Sequence, residues 1–181
     1  MPGFLVLAGV PVVAGVVAGF WRGGSLDGIA GGFRGLWLLW LAVGTQVAHA
    51  YLGGGAAFLA LTFLIVLGWV AVNLAGFSPG MRGGAGLVLG GAVMNGVAIA
   101  VNGAMPYSAW AAEVIGLPAG SATAKNEPET AGTRLMFLAD VIPVPGLQKI
   151  VSLGDVAISV GSALLIAAAM RRHPRKEGEP S

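Results

Sequence analysis

Apolar residues in this chain fall in long, nearly unbroken blocks separated by short runs rich in glycine, arginine and proline. The blocks cover about 2–21, 35–52, 56–77, 84–105 and 151–170. None alternates with a period of two, and none leaves a charged stripe at helical spacing. Half-buried strands and amphipathic surface helices are therefore both poor fits. A bilayer core of ~30 Å takes about 20 apolar residues in a helix, which is near the length of each block. The pattern predicts an all-α fold, a polytopic transmembrane helix bundle of about five spans in one membrane domain over 1–181. The first block lacks a basic leader and is too evenly apolar for a signal peptide, so it reads as a retained span that Pro11 can kink.

The polar positions inside the blocks are ordered. Ser152, Asp155, Ser159 and Ser162 are three, four and three apart, on one helical face, and Asn95 and Asn102 are seven apart, again on one face. Thr45, Gln46 and His49 gather on the second block, with Thr62, Trp69 and Asn73 on the third. Polar groups in a bilayer turn toward the bundle, so each seam predicts an interhelical face, and the Asn95/Asn102 face is expected against the seam of the last span. Ser152-Leu-Gly-Asp155 also fits a capping box, in which the acid merely closes the helix start. Gly-x-x-x-Gly at Gly15–Gly19 and at Gly86–Gly90 predicts close helix contacts, and the glycines at 53–55 predict a tight turn.

One long connection, 106–150, breaks the pattern. Its start predicts an interfacial helix with Tyr107 and Trp110 at headgroup level. The stretch 118–132 reads as an exposed polar loop. From Arg134 to Gly146 the chain is apolar again, yet Pro143 and Pro145 forbid a regular helix. Apolar, non-helical backbone beside a bilayer has to pack against protein, and this predicts a fixed position for Asp140.

Composition supports this class. The 181 residues are 56% hydrophobic and only 10% charged, against roughly 25% charged in soluble domains. With five spans, Arg22, Arg34, Arg82, Arg171, Arg172, Arg175 and Lys176 fall on one side, and Lys125, Arg134 and Lys149 on the other. The positive-inside rule makes the first side cytoplasmic, with the N-terminus outside and the C-terminus inside. A net charge of +2, with basic residues at segment ends, suits anionic lipid headgroups and not nucleic acid. The expected partners are membrane lipid and other membrane proteins. No cysteine is present, and His49 and His173 are the only histidines, so no metal site and no cofactor is expected.

Three motifs, Val101-Asn-Gly-Ala-Met-Pro106, Thr133-Arg-Leu-Met-Phe-Leu-Ala-Asp-Val-Ile-Pro-Val-Pro145 and Val151-Ser-Leu-Gly-Asp-Val-Ala-Ile-Ser-Val-Gly161, resemble a family of small multi-pass bacterial membrane proteins of unknown function, of actinobacterial type. That resemblance implies the bacterial cytoplasmic membrane. More distantly, Leu153-Gly-Asp-Val-Ala-Ile158, Asp140-Val-Ile and Leu87-Val-Leu-Gly-Gly-Ala-Val-Met-Asn95 resemble motifs of lipoprotein signal peptidase. This second resemblance implies an aspartyl hydrolase at the outer face. Asp140 and Asp155 would then be a catalytic dyad sharing one proton, with Asn95, Asn102 and Ser152 in support. The enzyme's Asn-x-Gly-Ala-Ala-Phe loop has no counterpart, and Ser152 stands where its motif has asparagine. The alternatives are a non-enzymatic scaffold or assembly subunit and a small proton- or cation-coupled transporter.

Overall fold

The computed structural model describes residues 2–30, 33–52, 55–118, 120–121 and 126–171. Its elements in chain order are α1 (Pro2–Trp21), α2 (Asp27–Ala30), α3 (Leu36–Leu52), α4 (Gly55–Asn73), α5 (Pro79–Asn102), β1 (Met105–Tyr107), α6 (Ala109–Val114), β2 (Asn126–Pro128), β3 (Ile142–Val144), β4 (Lys149–Val151) and α7 (Leu153–Met170). Short 3₁₀ turns lie at Leu74–Gly76, Met136–Leu138 and Pro145–Leu147. The chain is mostly helical, and α5 and α7 are each long and apolar enough to cross a membrane.

Local chemistry sets the helix ends. Ser78 caps α5, its Oγ accepting from the Met81 N–H at 3.4 Å, and Pro79 supplies the first turn. The helix therefore starts at Pro79, ahead of the apolar block expected from 84. Gly103, at φ 86°, closes it in the left-handed conformation.

α7 is the axis of the bundle, with α5 packed antiparallel along one side and α1 parallel along another. The α5–α7 contact is the most extensive in the fold, and glycines make it close. Gly84 and Gly91 are opposed to Gly161 and Gly154, so both pairs are seven residues apart and in matching register. A Cβ on Gly84 would lie 2.8 Å from the Gly161 carbonyl oxygen and 2.7 Å from the Leu165 nitrogen. Gly15 and Gly19 of α1 meet Ala163, Ile166 and Met170 of α7, so this Gly-x-x-x-Gly is a contact face as expected. The other is not. A Cβ added at Gly86 or Gly90 would meet nothing within 4 Å, because the contact runs through Gly84, two positions earlier, and Gly91, one later.

α3 and α4 form an antiparallel hairpin. Thr45 Oγ1 and Thr62 Oγ1 are 2.6 Å apart, and Gln46 Nε2 donates to Thr62 Oγ1 at 3.2 Å. At the far end Asn73 Nδ2 donates to the Arg34 carbonyl while Asn73 Oδ1 accepts the Arg34 N–H. The hairpin joins the rest through a cluster of Trp69, Val70, Phe77, Met81, Ala85 and Ala169, with the Phe33 ring tilted against Trp69 and edge-on to Phe77. This joint lies at the same end as Arg22, Arg34, Arg82 and Arg171. Of the sequence features named above, the tight turn at 53–54, Lys125, the tail from 172 and the His49 side chain lie outside what is described.

The opposite end carries a cap that corrects the all-α expectation. β1 pairs in parallel with β2, Tyr107 bridges to Asp140, and β3 pairs antiparallel with β4. The connection expected to be an exposed polar loop thus contributes β2, because its Asn126–Pro128 backbone completes β1. Tyr107 is buried within the cap, and its hydroxyl donates to the Ser121 carbonyl at 2.5 Å. The interfacial helix shortens to α6, on which Trp110 is exposed. Pro143 and Pro145 fall in β3 and the turn after it, where the absent N–H groups are harmless.

Candidate functional site

Asn95, Ser152 and Asp155 come together where the C-terminal half of α5 meets the start of α7. Ser152 is fully buried and caps α7, its Oγ accepting from the Asp155 N–H at 2.9 Å. Asp155 returns the bond, Oδ2 accepting from the Ser152 N–H at 3.1 Å. Asn95 then ties this capping box to the neighbouring helix. Its Nδ2 donates to Asp155 Oδ1 at 2.8 Å, and its Oδ1 accepts from Ser152 Oγ at 2.8 Å. The result is a closed ring of four hydrogen bonds. A side chain at position 154 would strike the Asn95 carboxamide, so glycine there lets the two helices approach closely enough for the ring to form.

Asn102 does not share that site. It was expected against the last span, or against either aspartate, but it faces the cap. Its Nδ2 donates to the Arg134 carbonyl at 2.9 Å and to Ala98 O at 2.8 Å, while its Oδ1 accepts the Arg134 N–H at 2.8 Å. The side chain thus pairs with Arg134 as a strand would. The next residue, Leu135, sits at φ 55°, a left-handed conformation that costs a non-glycine residue about 1–2 kcal/mol. The Asn102 clamp and the Leu138 N–H bonded to the Leu135 carbonyl hold it there.

Asp140 is 7% exposed. Its N–H donates to the Pro106 carbonyl and its carbonyl accepts from the Ser108 N–H, both at 2.9 Å. Asn126 Nδ2 donates to Asp140 Oδ2 at 2.6 Å. The fixed position expected from the proline-rich segment is therefore what the structure has. Asn126 was not foreseen, and its only signal is its place in a polar stretch that pairs with β1. Among the described residues no hydrogen bond joins the Asp140 and Asp155 carboxyls, since each answers to a different asparagine.

A polar cleft of about 390 Å³ opens beside the Asn102 clamp, lined by Asn102, Glu127, Thr130, Thr133 and Arg134 among others. Neither aspartate lines it. Among the described residues no three His, Asp or Glu side chains gather as a metal-binding group.

A family model matches residues 32–167, three quarters of the chain. The chain belongs to DUF5317, a family of unknown function. The DUF5317 match spans α3, α4, α5, the cap and most of α7, so it contains all five candidate residues and leaves α1 outside. No curated protein and no solved structure matches the chain.

Proposed function

We propose that this DUF5317 member is a polytopic protein of the bacterial cytoplasmic membrane that acts without catalysis, as a scaffold or assembly subunit presenting its cap outside. The membrane reading is supported by what the helices leave exposed. Only 28% of the apolar stretch of α5, and the same of α7, is buried in the chain, which suits a lipid-facing helix better than a mostly buried core helix. Val13, Val17, Phe20, Trp37, Trp40, Leu64 and Val160 are all exposed. Helix directions also fit: α1 parallel to α7, α5 antiparallel to both, and α3 antiparallel to α4 is the order in which five successive crossings alternate. Arg22, Arg34, Arg82 and Arg171 then share the cytoplasmic face, with Arg134 and Lys149 opposite.

The observation that carries the non-catalytic reading is the Asp155 carboxylate. Both of its oxygens are engaged in holding the helix start, Oδ1 by Asn95 and Oδ2 by the Ser152 N–H, and this gives the acid a structural role that needs no catalysis. This is a helix cap locked to a neighbouring helix, and it serves stability. The aspartyl-hydrolase alternative retains one support, the burial of Asp140 in the cap.

The test has two arms. Cysteines placed singly at Ser25 and Glu113 in this cysteine-free chain should react oppositely with an impermeant thiol reagent, Glu113→Cys from outside intact cells and Ser25→Cys only after lysis. The reverse pattern overturns the orientation. In the second arm, the purified chain in vesicles is given a fluorogenic lipoprotein-precursor peptide. No turnover above empty vesicles is expected. Turnover abolished by Asp140→Asn or Asp155→Asn in a folded variant would establish the hydrolase in place of the scaffold.

A further inference from the structure

Between α1 and α7, on the half of the molecule nearest the basic end, lies an open groove of about 570 Å³. That is the size of a small-molecule site. Small side chains, Ala18 on α1 with Ala163 and Ala167 on α7, line it together with Val160. These residues leave a furrow where larger ones would have filled the space between the helices. Its mouth is different. Trp21, 90% exposed, and Arg22 close the end of α1. The chain then turns at Gly23, Gly24 lies against Met170, and the Ser25 N–H donates to the Met170 carbonyl at 2.9 Å. That bond pins the turn to the end of α7, where exposed Arg171 follows directly. Exposed Asp27 opens α2 nearby but does not line the groove.

We infer that this groove is a binding site for one anionic phospholipid of the cytoplasmic leaflet, its acyl chain along the alanine furrow and its phosphate on Arg22. The inference rests on the membrane reading above. An apolar furrow in a bilayer accepts an acyl chain or a helix, and charge decides between them. A second copy of this chain would share its orientation and bring another Arg22 and Arg171 to the same level, where like charges repel. A phosphodiester at that level is complementary instead. The planar guanidinium fork matches phosphate oxygens, and basic pockets between helices on the cytoplasmic side suit acidic headgroups. Trp21 sits at the depth where an indole ring favours the headgroup boundary.

The test uses the full chain reconstituted in vesicles of equal parts phosphatidylcholine and phosphatidylglycerol. It is then extracted in mild detergent and weighed by native mass spectrometry. The unaltered chain should retain phosphatidylglycerol in preference to phosphatidylcholine. Arg22→Gln should lower that retention about five-fold, the worth of one basic contact at the surface. Val160→Trp, which fills the furrow from an exposed position, should lower it about ten-fold. Arg82→Gln, at the same end but outside the groove, should leave it unchanged. Equal retention of the two lipids, equal effects of Arg22→Gln and Arg82→Gln, or a lipid-free dimer would each overturn the site. Flotation of the vesicles separates the two levels of failure. A chain that floats without lipid preference refutes the lipid site alone, whereas one left in the aqueous fraction refutes the membrane reading as well.

Discussion

Adjacent glycines on α5 offer a direct measure of how tightly the bundle axis is packed. A Cβ added at Gly91 would lie 2.9 Å from Ile158 Cγ1 and 3.0 Å from the Ile158 nitrogen, and closer still to the Gly154 carbonyl. One residue earlier, a Cβ at Gly90 would meet nothing within 4 Å. Both substitutions to alanine gain the same backbone term, about 0.4–1 kcal/mol from a less flexible unfolded chain. That term cancels in the comparison, so the difference between the two variants reports packing alone. The clash at Gly91 is with the α7 backbone at Gly154 and Ile158 as well as the Ile158 side chain, and overpacking of this kind costs about 1–3 kcal/mol. Gly90→Ala should therefore be neutral or slightly stabilising, and Gly91→Ala less stable than it by about 1–3 kcal/mol. The measurement is unfolding of the purified protein in detergent micelles by added dodecyl sulfate, followed by tryptophan fluorescence. Equal midpoints for the two variants would show that α5 does not meet α7 in this register.

The capping ring makes a second prediction: Ser152→Ala and Asn95→Leu should each lose about 1–2 kcal/mol in the same assay. The double variant should lose less than their sum, because the two share the Ser152–Asn95 bond; simple additivity would mean that the ring does not exist. Asn102→Leu removes three hydrogen bonds to Ala98 and Arg134, so amide exchange across Met136–Leu138 should accelerate and stability fall by about 1–3 kcal/mol. The exposed neighbour substitution Val101→Leu should stay within about 0.5 kcal/mol of the unaltered protein, and matching effects at the two positions would refute the Asn102 clamp.

The helices were legible in the sequence because each is a continuous apolar block, and their ends were readable wherever a cap had a side chain to show it, as at Ser152. The start of α5 was missed because Pro79, Gly80 and Arg82 look like loop residues, although Ser78-Pro79 is itself a start signal. The partner faces were half legible. Gly-x-x-x-Gly located Gly15 and Gly19 but misplaced the α5 face, since the register is seven residues, Gly84 and Gly91 against Gly154 and Gly161. The clue present was the equal separation on two segments. Of the five residues that the sequence reading puts in one site, Asn95, Ser152 and Asp155 come together in the structure, whereas Asn102 pairs with Arg134 and Asp140 with Asn126 in the cap. The cap's three-residue strands are too short to show any alternation. Asn126 therefore could not be matched to Asp140 before β1 and β2 were seen side by side.

The position of α7 also sets an order of assembly. α1 packs chiefly on α7, and α5 has its largest contact there too, yet α7 follows both in the chain. On the membrane reading proposed above, α1 would enter the bilayer during synthesis with Gly15 and Gly19 bare, and it would wait while more than a hundred further residues are made. The α3–α4 hairpin can close early on its own Thr45–Thr62 contact. The α5 glycine face cannot, and the Asn95 carboxamide has no partner until Ser152 and Asp155 arrive. Side-by-side association of membrane helices depends on close contact and interhelical hydrogen bonds, and here both come with the same late segment. A ribosome stalled before residue 153 would thus leave two helices with exposed small-residue faces, open to wrong partners. Quality control acting on this protein should therefore respond to lesions in α7 far more strongly than to equal lesions in α3.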